Sequence, residues 1–325
     1  MRVAAQAELW PIAGAFTISR GSKTQAEVVV VRLEDEGYVG RGEAVPYKRF
    51  GETTSSVLAE IECVAGEVVA GLDRQGLLRR LPPGAARNAL DLALWDMKAK
   101  KRGEPVWKLA RLSAPAPVKT AFTISLDTPE AMAEAARREA RRPLLKLKIG
   151  GPNDLARVEA VRAAAPRTRL ILDANEGLSF DDLVRLTPDL HRLGVLMIEQ
   201  PLRQADDAAL EAYDGPIQLC ADESLHTRAE LEACKGRYSM INVKLDKAGG
   251  LTEAIALIDA ARAMGLEIMI GCMVSTSLAV APAMLLTSGA AFVDLDGPLL
   301  LAKDREPGLR SAGSILEPAP AELWG

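Results

Sequence analysis

The chain has 325 residues, 48% hydrophobic and 26% charged, with a formal net charge of −4 and a sequence pI near 5.5. No basic excess marks a nucleic-acid surface, and no stretch approaches the roughly 20 apolar residues of a membrane span. Four scattered cysteines without a C-x-x-C, only two histidines and no apolar leader after Arg2 predict a cytoplasmic protein with reduced thiols and exclude a His-rich metal site.

The first 110 or so residues read as an α+β unit. "AEVVVVRLEDEGYVGRGEAVPY" (Ala26 to Tyr47) predicts two strands joined by an acidic turn that contains glycine. "SVLAEIECVAGEVVAGL" and "AARNALDLALWDMKAKKRG" predict amphipathic helices, the second ended by Gly103.

From Val118 the pattern changes. Eight short apolar runs follow: "VKTAFTISL" (Val118 to Leu126), "LLKLKI", "RLILDANEG", "GVLMIEQP", "PIQLCADES", "YSMINVKLDKAGG", "EIMIGCMVSTS" and "AFVDLDGP". From the second run onward their ends, Lys148, Asp173, Glu199, Asp222, Lys244, Gly271 and Asp294, recur about every 22 to 27 residues, with helical patterns such as "LTEAIALIDAARAMG" between them. Strand and helix alternating at that period predict a parallel (β/α)8-type barrel over residues 113–298, with a capping domain over residues 1–112. The tail, residues 299–325, is too short for another unit and is expected to pack back on the capping domain.

Barrel enzymes keep their chemistry at the C-terminal ends of the strands. Asp173, Glu199 and Asp222 end three consecutive strands there, and three carboxylates so close call for a cation. An all-oxygen set selects Mg²⁺ or a similar ion. Lys148 ends the second strand and Lys244 the sixth, so they face each other across the mouth. A substrate carboxylate on the metal would hold its α-carbon between two lysines. One takes the α-proton, the other returns one from the opposite face, and the metal stabilises the enediolate between the steps. Lys146 shares a face with Lys148 by the i, i+2 rule. With the metal, its charge lowers the pKa of Lys148 towards that of a usable base, and it sits where it can touch the substrate carboxylate.

In this order and spacing, "KLKIG", "DANEG", "IEQP", "ADES" and "NVKLDKAGG" resemble the muconate-lactonizing-enzyme subgroup of the enolase superfamily, and "GAARNALDLALWDMKAK" resembles its capping helix. The resemblance spans essentially the whole chain. It implies Mg²⁺ on Asp173, Glu199 and Asp222, with Lys148 and Lys244 as the acid/base pair and Asn175 and Lys146 in support. Within the subgroup, "DLDGP" resembles the D-x-D of dipeptide epimerases, which implies Asp294 and Asp296 as holders of a dipeptide's α-ammonium group. "FTISRGSKTQAEVVVV" and "LDKAGGLTEA" resemble bacterial L-Ala-D/L-Glu epimerases, enzymes of murein peptide metabolism, and by analogy Thr123 helps to position the peptide.

A loop arginine reads the Glu side chain in some members. Here Arg20 and Lys23 share the Phe16–Thr24 stretch, which has no acid nearby and should favour an anionic side chain. Arg20 is the preferred reader because its planar fork can grip a carboxylate bidentately. The expected partner is thus a small dipeptide, with no nucleic acid and no membrane, in a possible homo-oligomer. Two alternatives remain: an o-succinylbenzoate synthase or cycloisomerase-type lyase on the same scaffold, and a non-catalytic peptide-binding protein.

Overall fold

The computed structural model describes residues 1–151 and 154–325. An antiparallel sheet opens the chain, with β1 (Arg2–Ile18), β2 (Gly21–Asp35) and β3 (Tyr38–Ala44) side by side in that order. The acidic turn between β2 and β3 holds Glu36 and Gly37 at positive φ, 51° and 84°. β1 has no counterpart in the sequence reading. Its only fully buried residue is Ile12, and its pairing with β2 shifts register between Pro11 and Phe16, so it lacks a clean two-residue period.

The Val28–Val31 run is apolar without alternation because both of its faces are covered. Val29 and Val31 pack with α1 (Thr54–Val69) and α3 (Ala85–Arg102), whereas Val28 and Val30 join the core around the barrel. Thr53 and Ser56 close a capping box at the start of α1, and Gly103, at φ 62°, ends α3. β3 lies so close to α3 that a Cβ at Gly42 would stand 2.1 Å from the Ala89 carbonyl oxygen.

The expected first barrel strand, residues 118–126, is split. β4 (Val118–Lys119) leaves the barrel and pairs with the tail, and only β5 (Phe122–Ile124) enters it. Seven parallel strands follow in spatial order: β6 (Leu144–Lys148), β7 (Arg169–Asp173), β8 (Val195–Glu199), β9 (Gln218–Ala221), β10 (Met240–Val243), β11 (Glu267–Gly271) and β12 (Phe292–Asp294). The Ala121 N–H donates to the Val293 carbonyl at 2.8 Å, which brings the first strand beside the eighth. The result is an eight-stranded (β/α)8-type barrel. Its outer layer is thin after β8, β9 and β12, where 3₁₀ turns or one-turn helices replace full helices. That is why the spacing shortens between Glu199 and Lys244.

Strand alternation explains the two lysines of β6. Leu145 and Leu147 face outward into the core beneath the helices. Leu144 faces inward with Ile171, Met197, Met240 and Met269 as an apolar floor. Lys146 and Lys148 continue that inward row above the floor, and all five residues of the strand are buried.

The tail runs past both units. β13 (Ser311–Ala312) pairs with β14 (Ile315–Leu316), and β14 pairs with β4. Further on, the Trp324 indole donates to the Leu92 carbonyl at 3.2 Å and the Gly325 N–H to Asp96 at 2.9 Å, both on α3. Arg305 bridges Glu43 and Glu8 of the sheet at 2.7 and 2.6 Å.

A buried carboxylate also joins the two units. Asp246 Oδ1 accepts from the Val45 N–H and from Asn88 Nδ2, both at 2.9 Å. Burial pushes its pKa up to about 7 despite these bonds. An unfolded Asp titrates near 3.9, so the folded state loses relative stability as pH climbs from about 4 to about 7. Asp246→Asn keeps the acceptor and removes the charge. It should raise Tm by about 2–5 °C at pH 8 and by much less at pH 5, as read by calorimetry at both values.

Candidate active site

Between the β1–β2 hairpin and the barrel mouth lies a cavity of about 560 Å³. Phe16, Ile18, Arg20 and Lys23 line it from the hairpin. Thr123, Lys146, Lys148, Asn175, Lys244, Asp294 and Asp296 line it from the barrel. The hairpin is held over the mouth from both sides: the Leu126 N–H donates to the Thr17 carbonyl at 3.0 Å, and Ser19 Oγ donates to the Asn175 carbonyl at 3.1 Å.

Parallel register sets Lys148, Asp173 and Glu199 level with one another at the ends of β6, β7 and β8, and Asp222 follows β9 directly. One oxygen each of Asp173, Glu199 and Asp222 lies within 4.8 Å of the others, and all three residues are buried. Glu199 Oε2 and Asp222 Oδ1 receive no directed hydrogen bond from the described residues, although Lys146 Nζ and Lys247 Nζ each stand 2.7 Å away. Burial, and then the Asp173 charge, push Glu199 up to about 7. Burial works the same way on Asp173 and Asp222, but Lys148 and Lys146 hold the first below the usual carboxylate range, and Lys244 and Lys247 hold the second well below it. Three crowded, buried oxygen donors with lone pairs to spare fit a hard divalent cation.

Lys148 Nζ donates to Asp173 at 2.6 Å and to Asn175 Oδ1 at 3.1 Å. Lys244 Nζ donates to Asp222 at 2.7 Å and lies 3.8 Å from Glu199. Burial resists its charge, but Asp222 and Glu199 more than compensate and raise its pKa. The triad's negative charge beside it thus favours the ammonium over the neutral amine.

Lys146 is 2% exposed and bridges Asp294 and Glu199, each at 2.7 Å, with Asp173 at 3.1 Å. Its charge is divided among carboxylates rather than aimed at Lys148. Asp294 Oδ1 is buried without a hydrogen bond from the described residues. The Thr123 N–H donates to Asp296 Oδ2 at 2.7 Å, yet burial and Asp294 push Asp296 up to about 7.

The preference for Arg20 over Lys23 as the reader of an anionic side chain does not suit this geometry. The Arg20 fork is already committed to Glu223 at 2.7 Å, Glu176 at 3.2 Å, the Asn175 carbonyl at 2.7 Å and the Tyr47 hydroxyl at 2.8 Å. Lys23 has no carboxylate at ion-pair distance among the described residues. Burial and then Lys148 lower its pKa to about 8.

Two family models match the chain. "Mandelate racemase / muconate lactonizing enzyme, N-terminal domain" covers residues 1–110, and "Enolase C-terminal domain-like" covers residues 130–298. The chain belongs to the mandelate racemase/muconate lactonizing enzyme family of the enolase superfamily. It is 48% identical to the L-Ala-D/L-Glu epimerase of Escherichia coli K12, over 93% of this chain and 95% of that one. It is 43% identical to an N-acetyl-D-glutamate racemase of a Pseudoalteromonas species, over 92% and 95%. Its fold superposes with a TM-score of 0.98, at 49% identity and 99% coverage of both chains, on an enolase family member of Agrobacterium tumefaciens. That protein is described as having homology to dipeptide epimerases, with bound sodium and L-Ala-L-Glu and an ordered loop.

Several residues at this family site escaped the sequence reading. Asn242 Nδ2 donates to Glu199 at 2.7 Å, and Gly271 leaves the space it occupies, since a Cβ there would lie 2.5 Å from its amide. Asn242 stands two residues before Lys244, so the i, i+2 rule could have found it. Gln200 Oε1 accepts from the N–H groups of Asp222 and Ser224 at 2.9 and 3.1 Å and braces the turn that carries Asp222. Lys247 Nζ donates to the carbonyls of Leu225 and Asn242 at 2.9 and 3.1 Å, and nothing in its sequence neighbourhood marks it as buried.

Proposed function

We propose that this chain is a Mg²⁺-dependent dipeptide epimerase that inverts the α-carbon of the C-terminal residue of L-Ala-L/D-Glu by two-base proton transfer. The observation that carries the reading is one cavity that holds the buried lysines Lys148 and Lys244 beside a carboxylate triad, with a second, partly unpaired carboxylate couple nearby. Asp173, Glu199 and Asp222 would hold the cation, and when bound it neutralises the charge that gathers on the substrate carboxylate as the α-proton leaves. Lys148 and Lys244 act from opposite faces. The neutral amine of one takes the α-proton, and the ammonium of the other delivers a proton to the same carbon. Each turnover thus exchanges the two lysines' protonation states, and proton exchange with solvent restores them before the next one. Through such a substrate the enzyme serves cytoplasmic breakdown of cell-wall peptides.

Asp294 and Asp296 supply the ammonium site. Lys146 brings one positive charge to two buried carboxylates, and the substrate's α-ammonium brings the second. A lyase substrate or an N-acylated amino acid carries no such cation. L-Ala-L-Glu should therefore be turned over with a kcat/KM about 100-fold above that of N-acetyl-glutamate. Faster turnover of N-acetyl-glutamate would move the substrate to the N-acylamino acids.

Lys23 reads the acidic second side chain. Lys23→Met should cut kcat/KM on L-Ala-L-Glu by about 30-fold or more and leave L-Ala-L-Met within about 3-fold. The free enzyme's Lys23 loses its charge as pH rises through about 8. Wild-type kcat/KM on L-Ala-L-Glu should then fall at a lower pH than on L-Ala-L-Met, and the mutant should show no such difference. Equal losses on both dipeptides would remove Lys23 from this role.

A further inference from the structure

We infer that Arg20 is a positioning residue for Lys148, acting from the capping hairpin through Glu223 and Asn175. The inference rests on the epimerase reading, because it requires Lys148 to be one of two bases. Arg20 Nη2 donates to Glu223 Oε1 at 2.7 Å, and the same oxygen accepts from Asn175 Nδ2 at 3.3 Å. On its other side Asn175 Oδ1 accepts from Lys148 Nζ at 3.1 Å. The guanidinium is therefore three contacts from the base, along one unbroken line of polar groups. The Arg20 side chain is 27% exposed, while Glu223 at the next step is 1% exposed, so the line runs from the rim directly into the site.

The backbone at the middle of this line is strained. Asn175 and Glu176 both sit in the left-handed region, at φ 43° and 66°, and neither is glycine. Two consecutive residues in that region need external support. Arg20 Nη1 and Ser19 Oγ both donate to the Asn175 carbonyl, at 2.7 and 3.1 Å. Arg49 grips the Glu176 carboxylate through two bonds, at 2.7 and 2.8 Å. Ser19 and Arg20 of the hairpin thus fix the Asn175 backbone from which its amide extends, and Arg49, outside the hairpin, holds the neighbouring Glu176.

The arrangement is one-sided. Lys148 has one partner inside the triad, Asp173, and one outside it, Asn175. Among the described residues Lys244 has only triad partners, Asp222 and Glu199. Once the triad is engaged with a cation, Asn175 is the acceptor left to hold the Lys148 ammonium in line, and Lys244 has no equivalent support from the hairpin. Loss of Arg20 should consequently disturb proton transfer on one face of the α-carbon. A displacement of about 1 Å at a reacting group can cost about 100-fold in rate.

The test compares deuterium wash-in at the α-carbon of L-Ala-L-Glu and L-Ala-D-Glu with saturating Mg²⁺. Lys148→Ala and Lys244→Ala first assign which epimer each lysine deprotonates. Arg20→Met should lower kcat for exchange of the Lys148 epimer by about 10- to 100-fold, with the other epimer within about 3-fold and KM little changed. Asn175→Gly suits the positive φ and folds without added strain, and it should give the same skew. Should Arg20→Met fail to fold, this variant decides alone. Arg49→Met loosens the Glu176 side chain but leaves the contacts Arg20–Glu223, Glu223–Asn175 and Asn175–Lys148 in place, and it should keep the wild-type ratio of the two exchange rates. Equal slowing of both epimers by Arg20→Met or by Asn175→Gly, or the same skew from Arg49→Met, would overturn the inference and leave the epimerase standing. A wild-type enzyme that exchanges neither epimer would overturn the epimerase reading itself, and this inference with it.

Discussion

Either Lys148→Ala or Lys244→Ala should reduce epimerisation of L-Ala-L-Glu by at least about 1,000-fold. Both side chains are buried at the rim and anchored to different members of the triad, Lys148 on Asp173 and Lys244 on Asp222. They end the second and sixth of eight strands, so no single lysine can reach both faces of a carbon held between them. Each mutant should still exchange the α-proton of one epimer, through the lysine that remains, and the two mutants should retain opposite epimers. Chiral chromatography of the products, beside the proton spectrum in D₂O, separates the two effects. Wild-type epimerisation by Lys244→Ala would end the two-base arrangement. Both mutants must also be checked for folding, since each removes a cation from buried carboxylates.

Removal of the metal should be equally severe. Chelation with EDTA should abolish turnover, and added Mg²⁺ should restore it. Asp222→Asn keeps the shape of the side chain but loses a charged donor, one of whose oxygens has no directed hydrogen bond from the described residues. Loss of groups that only support a ligand commonly costs 10- to 100-fold in metal affinity. Direct loss of a ligand should therefore raise the Mg²⁺ Kd by at least about 100-fold, as measured by titration calorimetry. Binding at wild-type affinity would take Asp222 out of the metal site, and full activity in excess chelator would take the metal out of the reaction.

The sequence made the barrel legible because parallel strands buried on both sides leave short apolar runs at a steady period, and because the functional groups end those runs. Asp173, Glu199, Asp222, Lys148 and Lys244 all stand out from that regularity, and the fold brings their strand ends together, the two lysines at ion-pair distance from the triad. What stayed hidden depends on contacts between distant segments. β1 escaped because all but one of its residues lie exposed or half exposed and its bulge breaks the alternation. Val118–Lys119 reads like the start of a barrel strand and is diverted by pairing with Ile315 and Leu316, nearly 200 residues away. Arg20 and Lys23 are three residues apart on one hairpin, and their sequence context cannot tell which is spent on structure. Glu223 and Glu176, which claim Arg20, lie beyond two different barrel strands. The fork geometry that made Arg20 the better carboxylate ligand also suits it to bind the protein's own carboxylates.

Proton transfer at one carbon from both faces is the chemistry on which everything above depends. The most direct measurement incubates the wild-type enzyme with Mg²⁺ and L-Ala-L-Glu in D₂O and follows the proton spectrum. The Glu α-proton signal should disappear while the Ala α-proton stays, L-Ala-D-Glu should accumulate carrying deuterium at the same carbon, and no other product should form. Retention of the Glu α-proton, or its loss together with a dehydrated or cyclised product, would contradict it.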